Sequence, residues 1–175
     1  VPGVVVGAVL ESTVANRLGA IWLIATMLIV FGLVLALADR APGRRDITTI
    51  GLRDAVAMGF AQALALAPGV SRSGATISAG RGLGLGRDAA ARVSFLMSIP
   101  ITAGAVAYEG VAIITSGGLP AGTGPAFFWG TVSAALTGLG AVWLVLRVVR
   151  GRSFTPFVIY RLVAGVAVLA VVALR

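Results

Sequence analysis

The residues best suited to chemistry in this chain form one short polar run, Pro68 to Thr76, with the sequence PGVSRSGAT. The run contains one arginine, Arg72, and three hydroxyl side chains, Ser71, Ser73 and Thr76. A guanidinium presents a planar fork of N–H donors that matches two phosphate oxygens, and hydroxyl groups can donate to the remaining ones. The run therefore predicts a phosphate-binding site.

Residues within and near this run are also predicted to help bind the phosphate-bearing ligand. Gly69 and Gly74 let the backbone approach a ligand closely, and a helix that begins near Gly74 would direct free amides at an anion. Gln62 is polar within an apolar segment and could line the same cavity. The alternative is structural: the run only caps two half-helices, Arg72 pairs with a carboxylate, and Gln62 makes an interhelical hydrogen bond.

The surrounding sequence is that of an all-α polytopic membrane protein. It is 58% hydrophobic and 11% charged, against about 25% charged residues in soluble domains, and its mean hydropathy is +1.02. Several segments are long enough, as helices, to cross about 30 Å of hydrocarbon. Spanning helices are predicted at residues 18–38, 93–116, 125–146 and 154–174, with the end of a further helix at 1–10.

The basic residues predict how these helices are oriented. The net charge is +8, and all fourteen basic residues are arginine. Most of them lie in three short loops, within residues 40–53, 81–92 and 147–152. The positive-inside rule places all three loops in the cytoplasm. We interpret the charge as this orientation signal, and expect no nucleic-acid partner.

The segment from 54 to 84 must then enter the membrane from the cytoplasmic side and return to that same side. Its apolar part, residues 55–67, is too short to span a bilayer. A re-entrant hairpin that breaks at Pro68 and Gly69 satisfies both conditions, provided that its irregular backbone lines an enclosed or wet cavity. The phosphate-binding run would form the tip of this hairpin, and the loop 117–124 would be exoplasmic.

Residue types that are absent narrow the chemistry. The chain has no cysteine, so thiolate metal sites are excluded, and no histidine, the commonest general base. It begins at Val1 within apolar sequence, and we expect it to be a fragment of a longer protein. Residues 1–175 are predicted to form a single integral membrane domain that is incomplete at its N-terminal side.

Residues Gly59 to Ser78 resemble the second signature of the bacterial undecaprenyl pyrophosphate phosphatases, written P-G-x-S-R-S-x-x-T. Segments 94–100 and 153–161 are similar to later helices of that family. The resemblance implies an inverted-repeat fold, in which each repeat is a re-entrant hairpin plus three spanning helices. This chain would be the second repeat with the last helices of the first. The family's first signature, a glutamate-rich stretch with a serine loop and a histidine, is not in this sequence.

The resemblance also implies a function, the hydrolysis of a polyprenyl diphosphate to the monophosphate and inorganic phosphate in the bacterial plasma membrane. Arg72 would neutralise the transferring phosphoryl group, Ser71 and Thr76 would orient its oxygens, and Ser73 with Gly74 would support the loop. A divalent metal, Mg or Ca, is implied for the full-length protein, with its ligands and the general base on the missing N-terminal repeat. The sequence leaves the oligomeric state open.

Two other classes of function remain open at this point. A lipid-phosphate transporter also needs broken half-helices around an anion site near the bilayer midplane, but no nucleophile. A non-catalytic membrane subunit would use the polar hairpin only for packing.

Overall fold

The structure, a computed structural model, describes residues 20–120, 122–151 and 153–174. These residues form six helices and a short 3-10 turn at Ile47–Thr49, so the predicted all-α fold is confirmed. The predicted helix at 1–10 lies outside the described residues. The helices are α1 (Ile21–Arg40), α2 (Leu52–Leu64), α3 (Arg72–Gly82), α4 (Arg87–Thr115), α5 (Gly124–Gly151) and α6 (Thr155–Ala173).

Four helices, α1, α4, α5 and α6, are long and apolar enough to cross a membrane. They confirm the four complete spans predicted from the sequence, although two of them extend further into charged sequence than expected. Helix α4 begins at Arg87, where Asp88 lies in the first turn and accepts a hydrogen bond of 2.7 Å from Arg92 Nε. Helix α5 continues past residue 146, and the Arg147 guanidinium lies 5.1 Å from the centre of the Trp143 ring. Charged turns extend these helices because they can project beyond the hydrocarbon.

The predicted re-entrant hairpin is confirmed by contacts that join its two ends. Arg45 donates to both carboxylate oxygens of Asp54 at the start of α2, at 3.1 and 2.7 Å. The same guanidinium donates to the Leu83 carbonyl just after α3, at 2.8 Å. The Arg45 backbone also pairs with Gly84 and Gly86, at 3.0 and 2.9 Å. The hairpin therefore leaves and returns at the same end of the bundle.

The carboxylate of Asp54 also closes the first turn of α2 by accepting a bond of 3.0 Å from the Gly51 amide. Two hydrogen bonds hold the pKa of Asp54 below its usual range: the larger effect comes from the Arg45 side chain and the smaller one from the Gly51 amide. At a pH above the ordinary pKa of aspartate, the ionised Asp54 therefore stabilises the folded state. This stabilisation is lost as the pH falls through the lowered pKa.

Helices α1 and α6 pack closely because glycines face the contact. A side chain at Gly165 would begin 3.0 Å from the Ala25 carbonyl and 2.5 Å from Ile29 Cγ1, so only glycine fits without rearrangement. At Gly32 a Cβ would lie 3.4 Å from Arg161 Cβ. Helix α3 packs on α1, α2 and α4. Helix α1 thus holds α3 and α6, the two helices that carry the candidate site.

An apolar core lies under the charged loops, at the end of the bundle where the hairpin closes. Its members come from α1 to α5, from the connection between α3 and α4 and from the start of α6, and they include Leu35, Met58, Ile77, Leu85, Ala90, Val149 and Phe154. Further from this end, apolar side chains such as Val106 and Leu139 are exposed. Such exposure is expected of helices surrounded by lipid or by further protein.

Cysteine labelling would test the orientation. Gly51, Gly82 and Gly124 are exposed, and a side chain at any of them meets no atom within 4 Å. In this cysteine-free chain, Gly51→Cys and Gly82→Cys should react together with an impermeant maleimide from the cytoplasmic side, and Gly124→Cys from the opposite side. Labelling of Gly51→Cys and Gly82→Cys from opposite sides would contradict the re-entrant hairpin.

Candidate phosphate-binding site

The loop between α2 and α3 depends on two glycines. Gly69 has a φ of +90°, and its missing Cβ would lie 2.3 Å from the Ile24 carbonyl of α1. Ser71 caps α3, because its Oγ accepts a bond of 3.1 Å from the Gly74 amide. The first amides of a helix have no acceptor within the helix, so those of Arg72 and Ser73 remain available to an anion.

A cavity of about 310 Å³ opens beside this helix start. Its polar lining includes Ser71, Ser73, Gly74 and Arg161, which come from the N-terminus of α3 and from the middle of α6. The rest of the cavity follows α3 and α1 towards the hairpin's closed end, and it is apolar. This apolar lining includes Leu35, Ile77, Phe95, Val145, Phe154 and Phe157. The cavity therefore combines donors for an anion with a surface for an apolar group.

Arg161 supplies the guanidinium of this cavity. It is only 6% exposed, and it donates from Nη2 to the Gly69 carbonyl at 3.2 Å and from Nε to the Leu28 carbonyl at 3.4 Å. These bonds join α6 to α1 and to the hairpin loop, and they hold the side chain in a buried position. Its proximity to the polar run was not predicted. The signal in the sequence was that Arg161 is the one charged residue within the apolar segment 154–174.

Arg72, the predicted catalytic arginine, lies at the first position of α3 and is exposed. It does not line the 310 Å³ cavity. Within the part of the chain that the structure describes, its guanidinium contacts no carboxylate, so the alternative of an Arg72 ion pair finds no support there. The side chain is therefore available to a ligand beside the free amides of α3.

Two other predicted residues face protein. Thr76 is 1% exposed, and its hydroxyl lies 2.6 Å from the Ser94 hydroxyl of α4 and bonds to the Arg72 carbonyl at 3.0 Å. Gln62 is 6% exposed and donates to the Met97 carbonyl of α4 at 3.3 Å. Both side chains join the hairpin to α4. Their contact with substrate stays a prediction, as do the substrate roles of Ser71, Ser73, Gly69 and Gly74.

Among the described residues, no three carboxylate or histidine side chains lie together. The cavity lining contains hydroxyl, guanidinium and apolar groups but no carboxylate. These groups suit the oxygens of a phosphate better than a divalent cation.

Ion pairs at the end of the bundle where the hairpin closes fix the two helices that carry the candidate site. The Asp39 carboxylate of α1 accepts from Arg87 at 2.6 and 3.2 Å and from the Phe154 amide at 3.1 Å. Arg81, at the end of α3, is 4% exposed and donates to the Asp39 carbonyl at 3.2 Å and to the Leu85 carbonyl at 2.6 Å. This Asp39 network joins α1, α3, α4 and the start of α6.

Gly74→Ala should disturb the cavity without removing any polar group. A Cβ at this position would lie 2.5 Å from Arg161 Nη1 and 3.2 Å from Ser71 Oγ. We expect the Arg161 side chain to shift, which weakens phosphate binding by about tenfold, or about 1.4 kcal/mol. Gly82→Ala, in the same helix and in open space, is the matched control. Binding of inorganic phosphate measured by calorimetry checks the prediction, and equal effects of the two variants would contradict it.

Comparison with known proteins supports a specific family. The family profile described as bacitracin resistance protein BacA matches residues 1–167. The undecaprenyl-diphosphatase of Nocardioides sp. is 47% identical over 174 residues, which cover 99% of this chain and 63% of that protein. The one from Pelotomaculum thermopropionicum is 44% identical, with coverage of 100% and 65%. The one from Geobacter sulfurreducens is 47% identical, with coverage of 97% and 64%.

The chain thus spans slightly less than two thirds of the length of these curated relatives. The match extends from the first described helix to the middle of α6, and it includes the hairpin, its tip and Arg161. With a family profile that covers almost the whole sequence and relatives above 40% identity, the chain belongs to the bacitracin resistance protein BacA family.

Proposed function

We propose that the full-length protein hydrolyses undecaprenyl diphosphate to undecaprenyl phosphate and inorganic phosphate in the bacterial plasma membrane. The observation that carries the proposal is the cavity at the start of α3, where Arg161 and the Ser71 and Ser73 hydroxyls meet an apolar lining. A lipid diphosphate has the same two parts, a charged head and a hydrocarbon chain. The names of the relatives support this substrate. Its hydrolysis would recycle the lipid carrier of cell-wall synthesis.

The groups of this chain suit the binding and charge stabilisation that phosphoryl transfer needs. Hydrolysis breaks the bond between the bridging oxygen and the terminal phosphorus, and negative charge grows on the bridging oxygen as it leaves. Arg72 and the free amides at the start of α3 would neutralise the terminal phosphoryl oxygens. Arg161, which is held by the Gly69 carbonyl and lines the cavity, would stabilise the charge on the leaving phosphate.

The attacking oxygen and its base are not assigned to described residues. Ser71 and Ser73 line the cavity, but no histidine or carboxylate there could accept a proton. We propose that a divalent metal, Mg or Ca, and a general base act in the full-length protein through residues other than those described. In this division of roles the described residues would supply the phosphate clamp.

The experiment that tests the function measures phosphate release from undecaprenyl diphosphate by the purified full-length protein in detergent. We expect turnover for the wild type, and a chain limited to these 175 residues should give none, because it has no histidine and no carboxylate in the cavity. Co-expression with the upstream segment should restore activity. Robust hydrolysis by the 175-residue chain alone would refute this assignment of the base.

Two outcomes would favour another class of function. Movement of the lipid monophosphate across a vesicle membrane, without phosphate release, would identify a transporter. Neither hydrolysis nor transport, with normal folding, would indicate a subunit whose polar hairpin serves only for packing. Host phosphatases must be removed before either result is interpreted.

A further inference from the structure

We infer that the cytoplasmic end of this chain binds the headgroup of an anionic phospholipid in a second cavity, distinct from the one at the hairpin tip. This basic pocket has a volume of about 830 Å³ and lies between the end of α1, the end of α3 and the start of α4. Five arginines and three aspartates line it: Arg40, Arg44, Arg45, Arg81 and Arg87 with Asp39, Asp46 and Asp88.

The ion pairs leave positive charge in the basic pocket. Asp39 is neutralised by Arg87, and Asp88 is bonded to Arg92 outside the lining. Arg40 and Arg44 are both exposed, and neither makes an ion pair among the described residues. The exposed Asp46 carries the opposite charge, and its carboxylate accepts a hydrogen bond from the Ile47 amide.

Arg81 provides a second and independent sign of an anion site. Its side chain is 4% exposed and lines the basic pocket. Its Nε is buried and makes no hydrogen bond among the described residues, although it lies 3.9 Å from Asp39 Oδ1. A buried guanidinium N–H without an acceptor is costly. A phosphate oxygen in the pocket would provide that acceptor.

The position of the basic pocket favours a lipid as the source of the phosphate. Helix α1 ends at Arg40 and α4 begins at Arg87, and both helices are long and apolar enough to span the membrane. The pocket therefore lies where these helices leave the hydrocarbon, which is the level of the headgroups. Leu33 and Leu37 are exposed on α1, on the helical face that leads from Ala41 into the bilayer. Acyl chains could lie along this face, and basic pockets between helices on the cytoplasmic side suit anionic headgroups.

The test measures lipid binding by the full-length protein in nanodiscs of phosphatidylcholine alone and of phosphatidylcholine mixed equally with phosphatidylglycerol. Native mass spectrometry of the released complex counts the retained lipids. We expect selective retention of phosphatidylglycerol. Arg40→Gln or Arg44→Gln should each weaken it by about fivefold, and the double variant by about twenty-five-fold.

Arg53→Gln is the matched control, because Arg53 is exposed near the same end of the bundle but does not line the basic pocket. It should leave retention of phosphatidylglycerol almost unchanged. An equal loss for Arg53→Gln and Arg40→Gln would overturn the proposal, since it would indicate only a diffuse surface charge. Absence of any preference for phosphatidylglycerol would overturn it too. Displacement of the lipid by millimolar inorganic phosphate would identify a soluble phosphate as the ligand and overturn the lipid assignment.

Discussion

Arg72→Ala in the full-length protein should lower kcat/KM for undecaprenyl diphosphate by hundredfold to thousandfold, which corresponds to about 3 to 4 kcal/mol of transition-state stabilisation. The physical reason is the loss of a planar cation beside the free amides of α3, where it would neutralise the oxygens of the transferring phosphoryl group. Phosphate release measured at saturating and limiting lipid gives kcat and KM separately. We expect most of the loss in kcat.

The exposure of Arg72 makes this result interpretable. Its guanidinium binds no carboxylate among the described residues, so its removal leaves no buried charge unpaired and the folded state should survive. Arg72→Lys keeps the charge but replaces the fork by a single ammonium, and its activity should stay closer to that of Arg72→Ala than to the wild type. Near wild-type hydrolysis by correctly inserted Arg72→Ala would refute the clamp. A defect that follows protein abundance alone would refute it as well.

The sequence predicted the helices and the hairpin well because these depend on one-dimensional quantities. A spanning helix needs a long apolar run, and a polar break in a short apolar segment predicts a hairpin. The side of the membrane on which the arginine-rich loops lie stays a prediction. Errors occurred at helix ends: α4 begins at Arg87 and not at residue 93, because its charged first turns lie outside the apolar run and can project beyond the hydrocarbon. The inverted repeat and the extent of the domain stay predictions.

The candidate site was predicted only in part, because side-chain contacts depend on packing between distant segments. The polar run was identifiable from residue types alone. Arg161 was not assigned to it, since 92 positions separate that arginine from Gly69, whose carbonyl it binds. Thr76 shows the converse: its motif predicts a phosphate ligand, but the Ser94 hydroxyl on α4 lies against it. No local pattern distinguishes a hydroxyl that faces a cavity from one that faces a helix.

Asp39→Ala should destabilise the protein by about 3 kcal/mol, because the buried Arg81 loses its nearest carboxylate and the buried Phe154 amide loses its acceptor. The variant takes away the anion that Arg87 binds, the acceptor of the Phe154 amide and the carboxylate closest to Arg81. Unfolding of the full-length protein in detergent, followed by tryptophan fluorescence in increasing denaturant, measures the change. Asp46→Asn is the matched control: it removes one exposed carboxylate from the loop that follows α1 and should change stability by less than about 0.5 kcal/mol.

A double variant separates the charge from the packing of Asp39. Asp39→Asn keeps an oxygen for the Phe154 amide but leaves Arg87 without its anion, so Arg87→Gln in the same chain should recover part of the loss. A coupling free energy of at least about 1 kcal/mol in this double-mutant cycle is expected for groups in direct contact. Additive effects would contradict the ion pair. The same substitution should also affect activity. Because the Asp39 network joins α3 to the start of α6, Asp39→Asn should also move the free amides of α3 away from Arg161. Hydrolysis by surviving folded Asp39→Asn should therefore fall as well, although Asp39 does not line the cavity proposed to bind the phosphate.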